Sequence, residues 1–182
     1  IMGDRAYVFN CNILGNQDTL YASGNNSRQY FKDCYIEGTT DFIFGKATVL
    51  FENCQIHSIK NSYITAASTH EGKEFGFVFK NCTLTADKNA TQVYLGRPWR
   101  IYAKTVFIEC KMGSHILPQG WENWSKPEAE KTAFYAEYNC SGEGYKPEKR
   151  VLWAHQLSKK QAKKYTSENV LGFEAQRGKE TK

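Results

Sequence analysis

Two aspartates stand at equal distances behind two cysteines. Asp18 follows Cys11 by seven residues, and Asp41 follows Cys34 by seven residues. If the two segments are copies of one unit stacked as parallel strands, their carboxylates lie about 5 Å apart. Two like charges that close do not both ionise easily, so one carboxyl group of such a pair keeps its proton more readily than the other. The spacing therefore predicts one proton donor and one carboxylate nucleophile, with two ordinary turn aspartates as the alternative.

An arginine could complete this pair. Arg97 precedes Cys110 by thirteen residues, the same distance that separates Asp41 from Cys54. This offset places Arg97 in the column of Asp41, two coils away, at roughly 10 Å. An arginine side chain reaches about that far and would keep a carboxylate ionised and oriented. A surface arginine lying over Trp99 fits the same spacing.

Amide and aromatic side chains surround these positions in the sequence. Gln17, just before the first aspartate, offers N–H donors to a carbonyl oxygen that gains charge. Sugars stack their C–H faces on aromatic rings, and four such rings are nearby: Tyr21, Phe44, Trp99 and Trp121. The set indicates a carbohydrate groove, although a place in the core is the alternative for each ring.

The elements that must position these residues repeat along the chain. Five segments share the order aromatic, any residue, Asn/Asp/Glu, Cys, any residue, aliphatic, around Cys11, Cys34, Cys54, Cys82 and Cys110, with Val8 at the aromatic position of the first. Cys140 does not fit this order cleanly. Steps of 20 to 28 residues between copies indicate a solenoid, and the residue types are those of short strands and turns. We therefore predict an all-β parallel β-helix.

The same repeat predicts the state of the cysteines. They should form a buried ladder of free thiols rather than disulfides or metal ligands. Strict strand alternation would place the aromatic residue of each copy on the opposite face from its cysteine. A bend at the Asn/Asp/Glu position would return the aromatic ring to the interior.

Length, composition and charge exclude several classes. With 182 residues, 41% hydrophobic and 24% charged, the chain fits one globular domain rather than disorder. No apolar run approaches the ~20 residues of a membrane helix. The basic excess lies in residues 146–182, which hold 10 Lys and Arg against 4 Asp and Glu, so nucleic acid is not expected as a partner. Residues 158–161 predict a capping box for a short helix through Tyr165, and residues 174–182 a polar tail.

With these motifs the chain resembles the pectin methylesterases, or pectinesterases, a family of right-handed parallel β-helices. The resemblance is carried by residues 15–21, 38–45, 95–99, 120–124, 134–138 and 150–153. These segments occur in the family's order and predict a pectinesterase domain over residues 1–173. The closing segment at residues 154–157 resembles the bacterial branch more than the plant one.

The resemblance implies hydrolysis of the methyl esters of galacturonate units in pectin, with release of methanol. Asp41 matches the nucleophile, Asp18 the acid and base, Gln17 an oxyanion donor, and Arg97 the nucleophile's partner in the substrate-binding set. The family's substrate-binding aromatic residues match Trp99, Tyr21, Phe44 and Trp121. The family further implies a secreted or periplasmic monomer that acts on pectin, has no membrane or nucleic-acid partner, and needs no metal or organic cofactor.

One departure from the family pattern leaves alternatives open. Family members carry upstream coils with a second glutamine donor, whereas Gly3 and Asp4 already stand at the start of this sequence. The sequence thus predicts a partial domain that is a poor catalyst alone. The alternatives are a non-catalytic pectin-binding β-helix or a pectate lyase or polygalacturonase, of which a lyase would need a calcium-binding carboxylate cluster.

Overall fold

The computed structural model describes residues 1–173, which form a right-handed parallel β-helix, as predicted. Each coil contributes one strand to each of up to three sheets, and all pairings are parallel. The first sheet has the order β1 (Ala6–Phe9), β4 (Arg28–Lys32), β7 (Thr48–Glu52), β10 (Phe77–Lys80), β13 (Lys104–Ile108), β15 (Phe134–Tyr138) and β16 (His155–Gln156).

The second and third sheets complete the coils. The second sheet contains β2 (Asn12–Ile13), β5 (Tyr35–Gly38), β8 (Gln55–Ser58), β11 (Thr83–Ala86) and β14 (Lys111–Met112). The third contains β3 (Leu20–Tyr21), β6 (Ile43–Gly45), β9 (Tyr63–Ala67) and β12 (Tyr94–Pro98). The third sheet and the turns that enter it carry most of the predicted site.

A left-handed residue joins the first sheet to the second in every coil. It is the Asn/Asp/Glu of the repeat, with φ between 48° and 55°, at Asn10, Asp33, Asn53, Asn81, Glu109 and Asn139. Asn and Asp adopt this conformation at lower cost than most residues. The bend confirms the sequence expectation, because it brings the aromatic residue and the cysteine of one copy onto the interior side together. Phe51, Phe79 and Phe107 stack there with ring centroids 4.5 Å apart.

The buried cysteine ladder begins and ends one coil later than predicted. Cys34, Cys54, Cys82 and Cys110 are buried as expected, but Cys11 is exposed because no described coil packs over its side. Cys140, which the motif excluded, is buried and its thiol donates to the Phe107 carbonyl at 3.6 Å, the contact made by the cysteines before it. All six thiols are free.

Short helices flank the solenoid. The capping box is confirmed, since the Gln161 N–H donates to Ser158 Oγ at 3.3 Å and the Ser158 N–H donates to Gln161 Oε1 at 2.8 Å. The helix it starts, α2 (Lys159–Ala162), ends before the predicted Tyr165. The sequence reading missed α1 (Ala129–Thr132), a 3₁₀ turn (Pro147–Lys149) and α3 (Ser167–Leu171).

The last helix packs on the outer face of the first sheet. Val170 and Leu171 of α3 lie against Tyr30, Leu50 and Val78. Gly172 ends α3 in a left-handed C-cap with φ 67°. The polar tail predicted for residues 174–182 lies outside the described residues. Within residues 1–173, no helix is long and apolar enough to cross a membrane.

A buried ion pair lies in the last coils. Arg150 donates from Nε to Glu137 Oε2 at 2.8 Å and from Nη2 to Glu137 Oε1 at 2.9 Å. Its remaining N–H groups reach the carbonyls of Leu117, Pro118 and Gly144 at 2.9–3.2 Å. The side chains of this pair are 2% and 0% exposed.

Candidate functional site

Asp18 and Asp41 occupy equivalent turns between the second and third sheets. The Asp18 N–H donates to the Thr40 carbonyl at 3.1 Å, and the Asp41 N–H donates to the Tyr63 carbonyl at 2.9 Å. Two residues later, Leu20 pairs with Ile43, so the aspartates stand one above the other on adjacent coils. Both have a positive φ, 57° and 50°. Aspartate accepts this backbone more readily than most residues, and it aims both side chains away from the strand ladder.

The two carboxylates face one cavity of about 270 Å³. Asp41 is buried at 5% exposure, whereas Asp18 is exposed to solvent. The cavity is lined by Gln17, Asp18, Asp41, Phe44, Ala66, Arg97, Trp99 and Trp124. Six of these eight residues are site candidates predicted from the sequence.

Arg97 binds Asp41 through two hydrogen bonds. Its Nε donates to Oδ1 at 2.9 Å and its Nη2 donates to Oδ2 at 2.7 Å. The predicted column is nevertheless wrong, since Arg97 pairs with Ala66 and Ala66 pairs with Phe44. The connection from β12 to β13 is three residues longer than the connection from β6 to β7. Equal distances from the next cysteine therefore do not mark equivalent positions in these two coils. The small side chain of Ala66 stands between, and Arg97 reaches back over it to Asp41.

Aromatic rings cover both faces of the Arg97 guanidinium. Its Cζ lies 4.0 Å from the centroid of the Tyr63 ring and 3.7 Å from that of the Trp124 ring. The sequence reading missed both residues. The Trp124 signal was present, because this residue closes the Gly-Trp-Glu-Asn-Trp segment that carries part of the resemblance. Tyr63 gives no comparable signal, since it is one of many aromatic residues within strands.

Three of the predicted groove aromatics form one wall of the site. Tyr21 and Phe44 stack with centroids 4.7 Å apart, and Trp99 lies 6.5 Å and 5.9 Å from them. Tyr21 and Trp99 also border an adjoining groove of about 610 Å³. A ring wall beside an open groove is suited to the face of a sugar.

Trp121 does not belong to that wall, and its prediction as a substrate-binding residue is wrong. It is 1% exposed and lies in the core, with its ring centroid 4.2 Å from that of Tyr135 and 5.9 Å from that of Phe107. An isolated bridge between Trp121 and Gly96 continues the third sheet by one position and directs the ring inward.

The carboxyl groups of Asp18 and Asp41 differ in their electrostatic environment. Partial burial raises the pKa of Asp18, the Asp41 carboxylate raises it further, and the Arg97 guanidinium opposes both. Asp41 accepts two hydrogen bonds from Arg97, whereas within residues 1–173 no side chain is hydrogen-bonded to the Asp18 carboxyl group. The arrangement can therefore offer an ion-paired carboxylate beside a carboxyl group that retains its proton to higher pH than usual.

The histidines, cysteines and acidic residues within residues 1–173 form no group of three or more that could hold a metal ion. Gln17 lines the cavity next to Asp18 and stands where an amide can donate to a bound oxygen.

Comparison with known proteins assigns the family. The family model described as Pectinesterase matches residues 1–174. Pectinesterase 31 of Arabidopsis thaliana is 42% identical over 158 residues, which is 86% of this chain and 49% of that protein. The matched part spans between 28% and 50% of the length of the curated relatives compared.

Solved structures give the same answer. Pectin methylesterase from carrot superposes with a TM-score of 0.86 at 32% identity, covering 93% of this chain and 57% of that one. A pectin methylesterase in complex with a hexasaccharide has a TM-score of 0.80 at 34% identity, covering 93% and 58%. The expected bacterial affinity is not borne out, since the quoted curated relative and the carrot structure are plant proteins.

Proposed function

This chain belongs to the pectinesterase family, and we propose that it removes methyl esters from the galacturonate units of pectin and releases methanol. The observation that carries the proposal is the pair of stacked aspartates, one held by Arg97 and the other free at the mouth of one cavity. A pectin methylesterase of similar structure is described in complex with a hexasaccharide, which supports a pectin chain as the ligand of this groove.

Asp41 acts first, as the nucleophile. Its carboxylate attacks the carbonyl carbon of the methyl ester, and the carbonyl oxygen takes the negative charge. Arg97 fixes the plane of the Asp41 carboxylate through its two bonds and leaves the face toward the cavity open. Gln17 is placed to donate an amide N–H to the developing oxyanion.

Asp18 acts as the acid and then as the base. Its raised pKa favours the protonated form, from which it protonates the departing methoxide to give methanol. The acyl group is then an anhydride with Asp41. Asp18 takes a proton from water, the hydroxide attacks the acyl carbon, and Asp41 leaves as a carboxylate with galacturonate as the second product.

The aromatic wall binds the polymer on either side of the reacting unit. Trp99, Tyr21 and Phe44 present ring faces to sugar rings, and Trp99 connects the two spaces because it lines both the catalytic cavity and the adjoining groove. We further propose that the chain acts as a monomer outside the cytoplasm, either secreted or in a periplasm, with pectin as its partner and no nucleic acid or membrane.

The test is methanol release from methyl-esterified pectin. The wild-type chain should release methanol, and Asp41→Asn should lower the rate at least about a thousandfold because the nucleophile is lost. Asp33→Asn is the matched control, because Asp33 is exposed with a left-handed φ of 53° and asparagine stands at the equivalent position in four other coils. The control should retain the wild-type rate.

The outcomes separate the alternatives. Pectin binding by the wild-type chain without methanol release supports a non-catalytic β-helix. An unsaturated, ultraviolet-absorbing product that disappears with EDTA supports a lyase. Equal rates for Asp41→Asn and Asp33→Asn remove Asp41 from the chemistry.

A second prediction addresses Asp18. Asp18→Asn should lower methyl-ester turnover about a hundredfold or more, because an amide cannot supply the proton. The loss should shrink with galacturonate esters whose alcohol is more acidic, since such alcohols leave with less help. Rates are measured over a series of esters, and a loss that is equal across the series contradicts Asp18 as the acid.

A further inference from the structure

Arg97 lies within a stack of planar and charged groups. Tyr63 covers one face at 4.0 Å and Trp124 covers the other at 3.7 Å. Behind Tyr63 the Tyr94 ring is parallel to within 13° at 5.1 Å, and behind Trp124 the Lys126 ammonium lies 4.4 Å from the ring. The guanidinium is thus held flat between two rings while its edge binds Asp41.

Tyr63 is connected to both members of the ion pair. Its ring supports Arg97, and its main-chain carbonyl accepts the Asp41 N–H at 2.9 Å. Tyr63 is not among the residues that line the catalytic cavity or the adjoining groove. Its contacts with Arg97 and Asp41 therefore offer it a route to the reaction that does not require contact with the sugar.

The opposite ring is fixed by a separate set of contacts. Trp124 lies in a loop with two consecutive left-handed residues, and its N–H donates to Glu122 Oε1 at 2.9 Å. Lys126 donates from Nζ to the carbonyls of Pro98 and Trp99 at 2.9 Å and 3.1 Å, which ties this loop to the end of β12. The loop is therefore hydrogen-bonded to the strand that bears Arg97.

We propose that Tyr63 is a positioning residue, which with Trp124 forms a clamp that holds the Arg97 guanidinium coplanar with the Asp41 carboxylate. The inference rests on the proposed function, in which Asp41 must meet the ester at a fixed angle. Rings on both faces prevent Arg97 from rotating about its long side chain, so both of its bonds to Asp41 persist. Loss of one ring leaves charge in place but frees the carboxylate to turn away from the attack direction.

The kinetic test removes the ring and compares it with its neighbour in the stack. Tyr63→Leu should lower kcat about tenfold with KM changed less than about twofold, because orientation is lost but the groove is intact. Tyr63→Phe, which keeps the ring, should recover most of the rate. Tyr94→Leu is the matched control, since Tyr94 is similarly exposed and pairs with Tyr63 but does not touch Arg97. It should stay within about twofold of wild type.

A double-mutant cycle identifies the route of the effect. In an Arg97→Gln background, Tyr63→Leu should change kcat less than about twofold, because the residue through which it acts is gone. A tenfold loss that persists in that background overturns the clamp, as does an equal loss for Tyr94→Leu and Tyr63→Leu.

A spectroscopic measurement keeps the clamp separate from the reaction. The rings shield the Arg97 Nε–H proton and the hydrogen bond to Asp41 deshields it, so the readout is the shift of its resonance between variants, with the signal assigned by its loss in Arg97→Gln. Tyr63→Leu should shift the resonance from its wild-type position, and Tyr94→Leu should leave it there. If the wild-type chain releases no methanol, the proposed function fails while this shift still decides the clamp. A resonance that keeps its wild-type position in Tyr63→Leu overturns the clamp even if methanol is released.

Discussion

Two arginines of this molecule bind a carboxylate through the same two atoms, Nε and Nη2, yet their surroundings differ. The other N–H groups of Arg150 donate to main-chain carbonyls. Its pair with Glu137, called the closed pair below, is shielded from solvent, with side chains 2% and 0% exposed. The Arg97 guanidinium instead contacts aromatic rings through its faces, and its pair with Asp41 remains 18% and 8% exposed. The bond geometry alone therefore does not distinguish a structural pair from a functional one.

The two carboxylates differ in their remaining capacity to interact with a ligand. Glu137 accepts from Arg150 on both oxygens and also from Gln156 at 3.4 Å, so it has little capacity for a ligand. Asp41 faces a cavity that it shares with Asp18 and Gln17. A guanidinium held by ring faces is fixed in orientation, and its carboxylate partner keeps an open side. This contrast predicts that equivalent mutations affect stability at one pair and rate at the other.

The largest expected effect on stability is at the closed pair. Glu137→Gln should lower the free energy of unfolding by about 3–5 kcal/mol, because it leaves the Arg150 charge buried without its partner. The measurement is urea unfolding followed by circular dichroism. Methanol release per folded molecule should remain at the wild-type value, since Glu137 does not line the catalytic cavity.

A nearby glutamate provides the control for that loss. Glu143 lies close in sequence but is exposed, and Glu143→Gln should change the free energy of unfolding by no more than about 0.5 kcal/mol. Equal changes for Glu137→Gln and Glu143→Gln would show that the closed pair does not stabilise the last coils.

Substitutions in the Arg97–Asp41 pair should change the reaction rate more than the stability. Arg97→Lys keeps the positive charge but loses the two-pronged bond and the flat surface between the rings, so kcat should fall about a hundredfold. Its free energy of unfolding should fall by less than about 1 kcal/mol, because a lysine at this partly exposed site can still reach solvent. Arg150→Lys is the matched variant and should show the reverse, a loss of stability with an unchanged rate per folded molecule. If Arg97→Lys and Arg150→Lys both change mainly kcat, or both change mainly the free energy of unfolding, the proposed difference between the two pairs is wrong.

The repeat explains why part of the site could be predicted from the sequence. A solenoid converts equal offsets into stacked positions, so Asp18 and Asp41 could be placed together from their distances to Cys11 and Cys34. The method fails where coils differ in length. Because of the three extra residues after β12, the distance to Cys110 assigns Arg97 to the wrong column. The predicted contact is present nevertheless, because the long Arg97 side chain reaches Asp41 from its actual position.

Other features depend on packing that no offset encodes. Trp121 and Trp124 are three residues apart in a segment with no strand period, and only the bridge to Gly96 turns the first inward. The left-handed residues Trp124 and Ser125 then turn the second over Arg97. Helix α3 was missed for a related reason, since its five residues are stabilised by their contact with the first sheet more than by helix propensity.

A third pair, between Arg28 and Asp4, extends the comparison to the surface. Arg28 donates from Nε and Nη2 to Asp4 at 2.9 Å and 2.6 Å, the same two-pronged geometry again, but the side chains are 29% and 44% exposed. The Arg28 hydrogen bond lowers the pKa of Asp4 from 3.8 to about 2, despite an opposing contribution from burial. Exposure should make this pair the weakest of the three.

Asp4→Asn should therefore have the smallest effect, a loss of less than about 1 kcal/mol in the free energy of unfolding at pH 7. Because the folded pKa of Asp4 is depressed, its contribution is present above pH 4 and is lost as the pH falls toward about 2. The difference between wild type and Asp4→Asn, measured by urea unfolding, should accordingly shrink over that window. It should also shrink in about 1 M salt, where the screening length is about 3 Å. A difference that persists in acid and in salt would mean that Asp4 acts through its hydrogen bonds to Arg28 rather than through its charge, and the surface pair would then rank with the Arg97–Asp41 and Arg150–Glu137 pairs.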